Sequence, residues 1–294
     1  MENNLVKYTN DLPVLPEVAT KVINLAEDGL DISFKELENI IKIDPGLTSK
    51  ILKIANSALY ARQKEIESLQ KAITLLGFKN IKSLVLLVIA ARFFQKAENV
   101  DFYRGFWRHS IITAFMAKTI MIKSNKIEIS ELSFICGLLH NIGQAMLFNV
   151  DPQKYSQVME KSSQNNNWIE VYEEELFGVN HRQLGAELFK KWNFPETFID
   201  VALEHDSLNI TSQYKNLIII ITLSDLITDK LGFGLFFPAK SELLDTLLLH
   251  TALLKKDIEY YEKYFLENLK KDPLFHECRE LFGLGPEFLD KTVD

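Results

Sequence analysis

What most limits the fold of this chain is that its apolar residues recur at helical spacing, with no sustained period-two alternation along its 294 residues. Residues three and four apart share one face of a helix, whereas successive residues of a strand point to opposite faces. In ISFKELENIIKI (32–43), Ser33 and Glu36 stand in capping-box spacing, and Leu37, Ile40 and Ile41 fall on one face. DPGLTSKILKIANSALY (44–60) offers Asp44 as an N-cap, Pro45 at the first helical position, and a stripe of Leu47, Ile51, Ile54 and Ala55. SLQKAITLLGF (68–78) begins at a capping Ser68 and stops at Gly77, where a residue without Cβ suits a positive φ. The fold class these patterns predict is all-α, a multi-helix bundle.

Further along, NIKSLVLLVIAARFFQ (80–95) is apolar enough for a helix buried on several sides. VDFYRG (100–105) reads as a short connection with Gly105 its most permissive residue, followed by one long helix over 106–124. Ser130 reads as the cap of ELSFICGLLHNI, which is expected to end near Gly143. EKSSQNNNW (160–168) is a loop or helix end, Asn180 caps HRQLGAELFKKW, and Pro195 starts PETFIDVALEH. KNLIIIITLSDLITDKL (215–231) is a further buried helix, and GFGLFFPAK (232–240) breaks the chain before a C-terminal helical region. There, Ile258, Tyr261, Phe265 and Leu269 line one face of DIEYYEKYFLENLKK (257–271), suited to packing inside the chain or to a homodimer surface.

Composition excludes some classes of function. A net charge of −7 argues against a nucleic-acid-binding surface, which needs clustered Lys and Arg to release counterions. Two cysteines, Cys136 and Cys278, are too few for a disulfide framework and read as reduced thiols. The start MENNLVKYTND has neither a basic nor an apolar leader pattern, and the longest apolar runs, LVLLVIAA and LIIII, are shorter than the roughly 18 residues of a spanning helix. A cytoplasmic protein without membrane insertion is the expectation.

Chemistry-bearing residues sit on the apolar helices. His109 lies near the start of one, His140 at the end of another, and Asp225 inside a third, where an unpaired carboxylate is costly. A shared divalent cation would supply a partner, since bundles build metal sites from inward-facing side chains, and imidazole with carboxylate suits Fe, Zn or Mn. A metal-free polar core, with His140 and Asn141 hydrogen-bonded to Asp225 or water, meets the same need. His181 and His205, each near a helix end, are candidates to extend the set, as is Arg182 beside His181. His250 and His276 read as ordinary structural histidines, and no residue is assigned a catalytic role.

The order His109, then His140–Asn141, then Asp225 resembles the HD superfamily of metal-dependent phosphohydrolases, whose signature is a His, an adjacent His-Asp pair and a later Asp. More specifically, the chain resembles the HDOD domain, the HD-related output domain of bacterial signalling proteins. LPVLPEVATKVINLA (12–26), IIKIDPGLTSKILKIANSALYA (40–61), SLQKAITLLGFKNIKSLVL (68–86), FWRHS (106–110), GLLHNIG (137–143), VNHRQLGAELFKKWNFPE (179–196) and VALEH (201–205) carry the resemblance, which covers roughly residues 10–230. It implies an N-terminal helical subdomain over 1–96, an HD-like helical core over 97–231 and a C-terminal extension over 232–294. It also implies a regulatory module acting through contacts with signalling proteins, in a family without an established common enzymatic activity.

Asn141 departs from that pattern. In the HD enzymes the aspartate at this position is a ligand that often bridges two cations. Asparagine keeps one oxygen but loses the charge, and removing a ligand costs at least the roughly 10–100-fold in affinity known for second-shell partners. The resemblance with this departure points to a non-enzymatic signalling protein with a degenerate metal site, binding no cofactor or a single divalent cation. The alternatives are an HD-type phosphohydrolase acting on a nucleotide or cyclic dinucleotide, or a nucleotide sensor that uses His109 and Arg182.

Overall fold

The computed structural model describes residues 8, 17–24, 34–56, 66–78, 80, 81, 84–86, 88, 89, 100–207, 209–234, 241–251 and 253–289. Among these there are 15 α-helices and no strand. The N-terminal group is α1 (Glu17–Asn24), α2 (Phe34–Lys42), α3 (Pro45–Ala55) and α4 (Leu69–Leu76). Its local signals act as the sequence predicts: Leu47 N donates to Asp44 Oδ1 at 2.9 Å, Lys71 N donates to Ser68 Oγ at 3.3 Å, and Gly77 ends α4 with φ +85°. Leu37, Ile40 and Ile41 of α2 and the α3 stripe of Leu47, Ile51, Ile54 and Ala55 are buried together. Ser33, the other half of the expected capping box, lies outside the described residues.

The central layer starts with α5 (Val100–Lys123), which corrects the reading of 100–105 as a connection. Gly105 costs about 1 kcal/mol inside a helix. Burying Phe102, Tyr103 and Phe106 outweighs it at about 1.5–3 kcal/mol per large side chain. Phe102 stacks on Phe148 with ring centroids 3.7 Å apart, so contacts remote in sequence hold the first turns of α5 in place.

Next come α6 (Ser130–Leu139), α7 (Ile142–Val150) and α8 (Pro152–Asn165), then α9 (Ile169–Phe177), α10 (His181–Lys191), α11 (Glu196–Glu204) and α12 (Lys215–Thr228). Ser130 does not cap α6: its hydroxyl donates to Ile127 O at 2.7 Å, inside a short 3-10 turn that leads into the helix. The chain also does not stop at Gly143. Only His140 and Asn141 separate α6 from α7, and Gly143 is the second residue of α7. It is there for proximity, because a Cβ at 143 would land on the carbonyl oxygen of His181 in α10. Asn180 and Gln183 form a reciprocal capping box that fixes where α10 begins, and hence where His181 points.

Every residue of α12 from Leu217 to Thr228 is buried, as a largely apolar helix surrounded by others requires. It packs against α5, α6 and α11 and runs into a π-helical turn, Asp229–Phe233, with Gly232 at φ +86°. The C-terminal region holds α13 (Ser241–Leu248), α14 (Lys255–Leu269) and α15 (Pro273–Leu281). The α14 stripe of Ile258, Tyr261, Phe265 and Leu269 is buried within the chain. Cys136 and Cys278 are buried free thiols, and among the described residues no helix is long and apolar enough to cross a membrane.

Candidate metal centre

Three neighbouring helices bring His109 (α5), His140 (at the end of α6) and Asp225 (α12) to one buried point. One ligand atom from each lies within 4.8 Å of the others. Asp225 Oδ1 is 2.8 Å from His109 Nε2 and 3.4 Å from His140 Nε2. Ligands about 2.1 Å from one ion stand roughly 3.0–3.5 Å apart at octahedral or tetrahedral angles; the His140–Asp225 separation falls in that range and the His109–Asp225 one just short of it.

Hydrogen bonding on the far side of each ring decides which nitrogen faces inward. His109 Nδ1 is 3.1 Å from Phe233 O, His140 Nδ1 is 2.8 Å from Gly137 O, and His205 Nδ1 is 2.9 Å from Val201 O. His181 Nδ1 is 2.7 Å from the carboxylate of Glu173. Carbonyl and carboxylate oxygens only accept, so each Nδ1 must carry a proton and donate it. In the neutral ring each Nε2 is then a lone pair, the arrangement that outer partners impose on metal-binding histidines. His140 Nε2 is buried without a hydrogen-bond partner and stands 3.4 Å from Asp225 Oδ1, the chemistry of a donor set able to hold a cation; His181 Nε2 is also unpartnered but lies outside that set.

The four rings form a chain, with centroids 5.5 Å apart from His109 to His140, 5.2 Å from His140 to His205, and 5.5 Å from His205 to His181. The amide of Asn141 lies between the ends of two of them, one atom 3.0 Å from His205 Nε2 and the other 3.5 Å from His109 Nε2. With Oδ1 toward His205, that ring would need protons on both nitrogens, a charge that its burial opposes by holding the His205 pKa well below the usual histidine value. Half a turn about χ2 puts Nδ2 toward the His205 lone pair, which satisfies that ring.

Electrostatics describe the same centre without a cation. Burial pushes the His109 pKa down, but Asp225 and the more distant Asp229 prevail and hold it above the ordinary value. Burial pushes Asp225 up, but His109 and then His140 hold it well below the usual carboxylate range. The 2.8 Å approach of His109 Nε2 to Asp225 Oδ1 is the length of a hydrogen bond, and the two opposite shifts favour an ion pair between them where no metal stands.

His181 belongs to a neighbouring network that the sequence reading missed. Glu173 is fully buried on α9 and accepts from Tyr155 Oη at 2.8 Å, His181 N at 2.8 Å and His181 Nδ1 at 2.7 Å. A signal was present: Ile169, Glu173 and Phe177 follow at i, i+4 and i+8, which puts a carboxylate in an apolar stripe. Arg182 is half-buried; its Nη1 donates to His205 O at 3.3 Å and its Nε is 3.7 Å from Glu170 Oε1. His250 is exposed, and His276 Nε2 contacts Lys270 O at 2.7 Å.

A helical bundle built round a buried His-His-Asp cluster is the class that this fold and site define. The chain belongs to the HDOD domain family, whose profile matches residues 12–208. A curated relative, an uncharacterized protein of Treponema pallidum (strain Nichols), is 25% identical over 218 residues, 74% of this chain. The chain spans only 42% of that relative's length. Among solved structures, an HDOD domain protein of unknown function from Geobacter sulfurreducens is similar with a TM-score of 0.71 and 20% identity, over 96% of this chain and 99% of that one. A protein from Shewanella amazonensis SB2B provisionally assigned as a phosphohydrolase has a TM-score of 0.71 at 19% identity, over 95% of this chain and 98% of that one. One from Marinobacter aquaeolei VT8 provisionally assigned to signal transduction has a TM-score of 0.73 at 20% identity, over 95% of this chain and 65% of that one. At these identities the likeness is one of fold.

Proposed function

We propose that this protein is a bacterial signal-transduction module that acts through contacts with other signalling proteins, its buried histidine centre serving as an internal brace and not as a catalyst. One observation carries the reading. At the position where an HD hydrolase needs a bridging carboxylate, the neutral amide of Asn141 is held between His205 and His109. The surroundings agree with it. His109, His140 and Asp225 are 2%, 1% and 5% exposed, which leaves a phosphate ester no open approach to them.

His109, His140 and Asp225 are the residues that would hold one divalent cation, Fe, Zn or Mn. Such a cation supplies positive charge and Lewis acidity. The chain's own part is to present two imidazole lone pairs and a carboxylate, to fix both rings through main-chain carbonyls, and to exclude water. Where no cation is bound, the 2.8 Å pair of His109 and Asp225 does the bracing.

The experiment is elemental analysis of untagged protein purified without chelators, together with a turnover assay on nucleotides and cyclic dinucleotides. The expected result is at most one equivalent of metal, lost in Asp225→Ala, with no turnover in either protein. The convergent lone pairs favour one rival, an HD-type phosphohydrolase. It requires Mn- or Fe-dependent turnover that His140→Ala abolishes, and that result would replace this reading.

A further inference from the structure

A recess of about 580 Å³ opens where α14 and the turn before it meet the end of α5 and the start of α12. None of its lining residues belongs to the histidine cluster. Its size falls within the range of small-molecule sites, about 300–1,000 Å³. Its floor is apolar, with Ile219 and Ile220 of α12 buried beneath it.

The polar part of the lining is rich in donors. Lys123 and Lys126 bring two ammonium groups and Asn216 an amide. Among the described residues, neither Lys126 nor Asn216 has a side-chain hydrogen bond or ion pair. Lys123 Nζ instead sits over the face of Tyr260, 5.6 Å from the ring centroid. Among the described residues the one acid of the lining, Asp257, accepts from Leu254 N at 2.7 Å in the first turn of α14. Two lysines against one committed carboxylate disfavour a metal ion and favour an anion.

Tyr260 narrows the choice of anion. It is 43% exposed and lines the recess; its ring packs against Tyr264 with centroids 5.1 Å apart, and the face that Lys123 Nζ covers can take a planar ring once that ammonium turns to an anion. Phosphate-binding cations, a stacking face, an amide able to read a base edge and an apolar floor together match one ligand class. We propose that this recess is a binding site for a nucleoside monophosphate, with the phosphate on Lys123 and Lys126 and the base against Tyr260. A nucleic-acid chain is a poor alternative, because the site is a recess and the molecule carries a net charge of −7.

The test is isothermal titration of the full chain with AMP, GMP, CMP and UMP in EDTA, which removes any contribution from a metal at the histidine centre. Inorganic phosphate and adenosine serve as controls. At least one monophosphate should bind saturably at one per chain, more tightly than either control. Lys126→Glu and Tyr260→Ala should each weaken it about ten-fold or more, the loss expected for one charge-assisted contact or one stacked base. Lys126→Arg should retain it. Both sites are at the surface, and unchanged melting curves will show that the variants fold. Three results each overturn the proposal: no saturable binding of any monophosphate, phosphate binding as tight as the best of them, or binding that both disruptive variants leave unchanged.

Discussion

Asn141 and His205 meet across the buried centre at 3.0 Å, an amide atom against ring Nε2. Because Val201 O already takes the proton on His205 Nδ1, this contact supplies what the inward-facing lone pair lacks. An aspartate at 141 would have no N–H to give. It would place a negative charge against His205 Nε2 and within 3.5 Å of His109 Nε2.

Asn141→Asp is therefore expected to bind a divalent cation more tightly than the parent chain, by at least about ten-fold. Calorimetric titration of Mn²⁺ into metal-stripped protein at neutral pH checks this. Equal affinities would mean that the amide is not what limits metal binding.

Glu173 accepts three hydrogen bonds with no solvent to replace them. Glu173→Gln removes the charge and one acceptor, and should cost about 3 kcal/mol in urea unfolding, the scale of breaking a buried pair. Burial lowers the His181 pKa but Glu173 raises it above the ordinary value, so this contribution is fully present below about pH 6.5. The gap between parent and variant should narrow as pH rises through the folded value of His181. A gap independent of pH would remove His181 from the account.

His205 has the opposite sign. Its pKa is depressed, chiefly by burial, so the unfolded chain takes up a proton near pH 6.5 that the folded chain refuses. Stability should fall as the pH drops below about 6.5 and continue to fall toward the folded pKa. His205→Gln, which keeps a polar group at the same place, should show a shallower acid limb. Parallel limbs would count against a neutral His205.

Two glycines in contact are predicted to behave differently. A methyl group at 143 collides with the main chain of His181, and Gly143→Ala should cost about 3 kcal/mol or more. At Gly185, whose added Cβ meets nothing closer than 3.5 Å, Gly185→Ala should be neutral or stabilising by up to about 1 kcal/mol through helix propensity. Paired urea titrations test both.

What the sequence made legible was local. Asp44, Ser68 and Asn180 cap helices because each satisfies a donor within three residues of itself, a geometry that the chain order alone prescribes. His109, His140 and Asp225 could be grouped because ionisable residues on apolar helices must find one another. The misreadings arose where distant contacts decide. Residues 100–105 look like a linker until Phe148 stacks on Phe102, and Gly143 looks like a stop until His181 is seen against it. The tautomers were beyond reach, since the carbonyls of Gly137, Val201 and Phe233 have no signature in side-chain identity.

Those carbonyls bear on the history of the site. Because main chain and not side chain fixes three of the rings, no drift in neighbouring residue types disturbs their aim while the helices stay packed. Asparagine and aspartate codons differ by a single base. A lineage carrying this chain thus stands one transition from a carboxylate at 141, inside a frame still aligned to receive it, and the reverse step is equally short. Gain of a carboxylate at 141 in such a chain is a matter of point mutation, with no need to rebuild the fold.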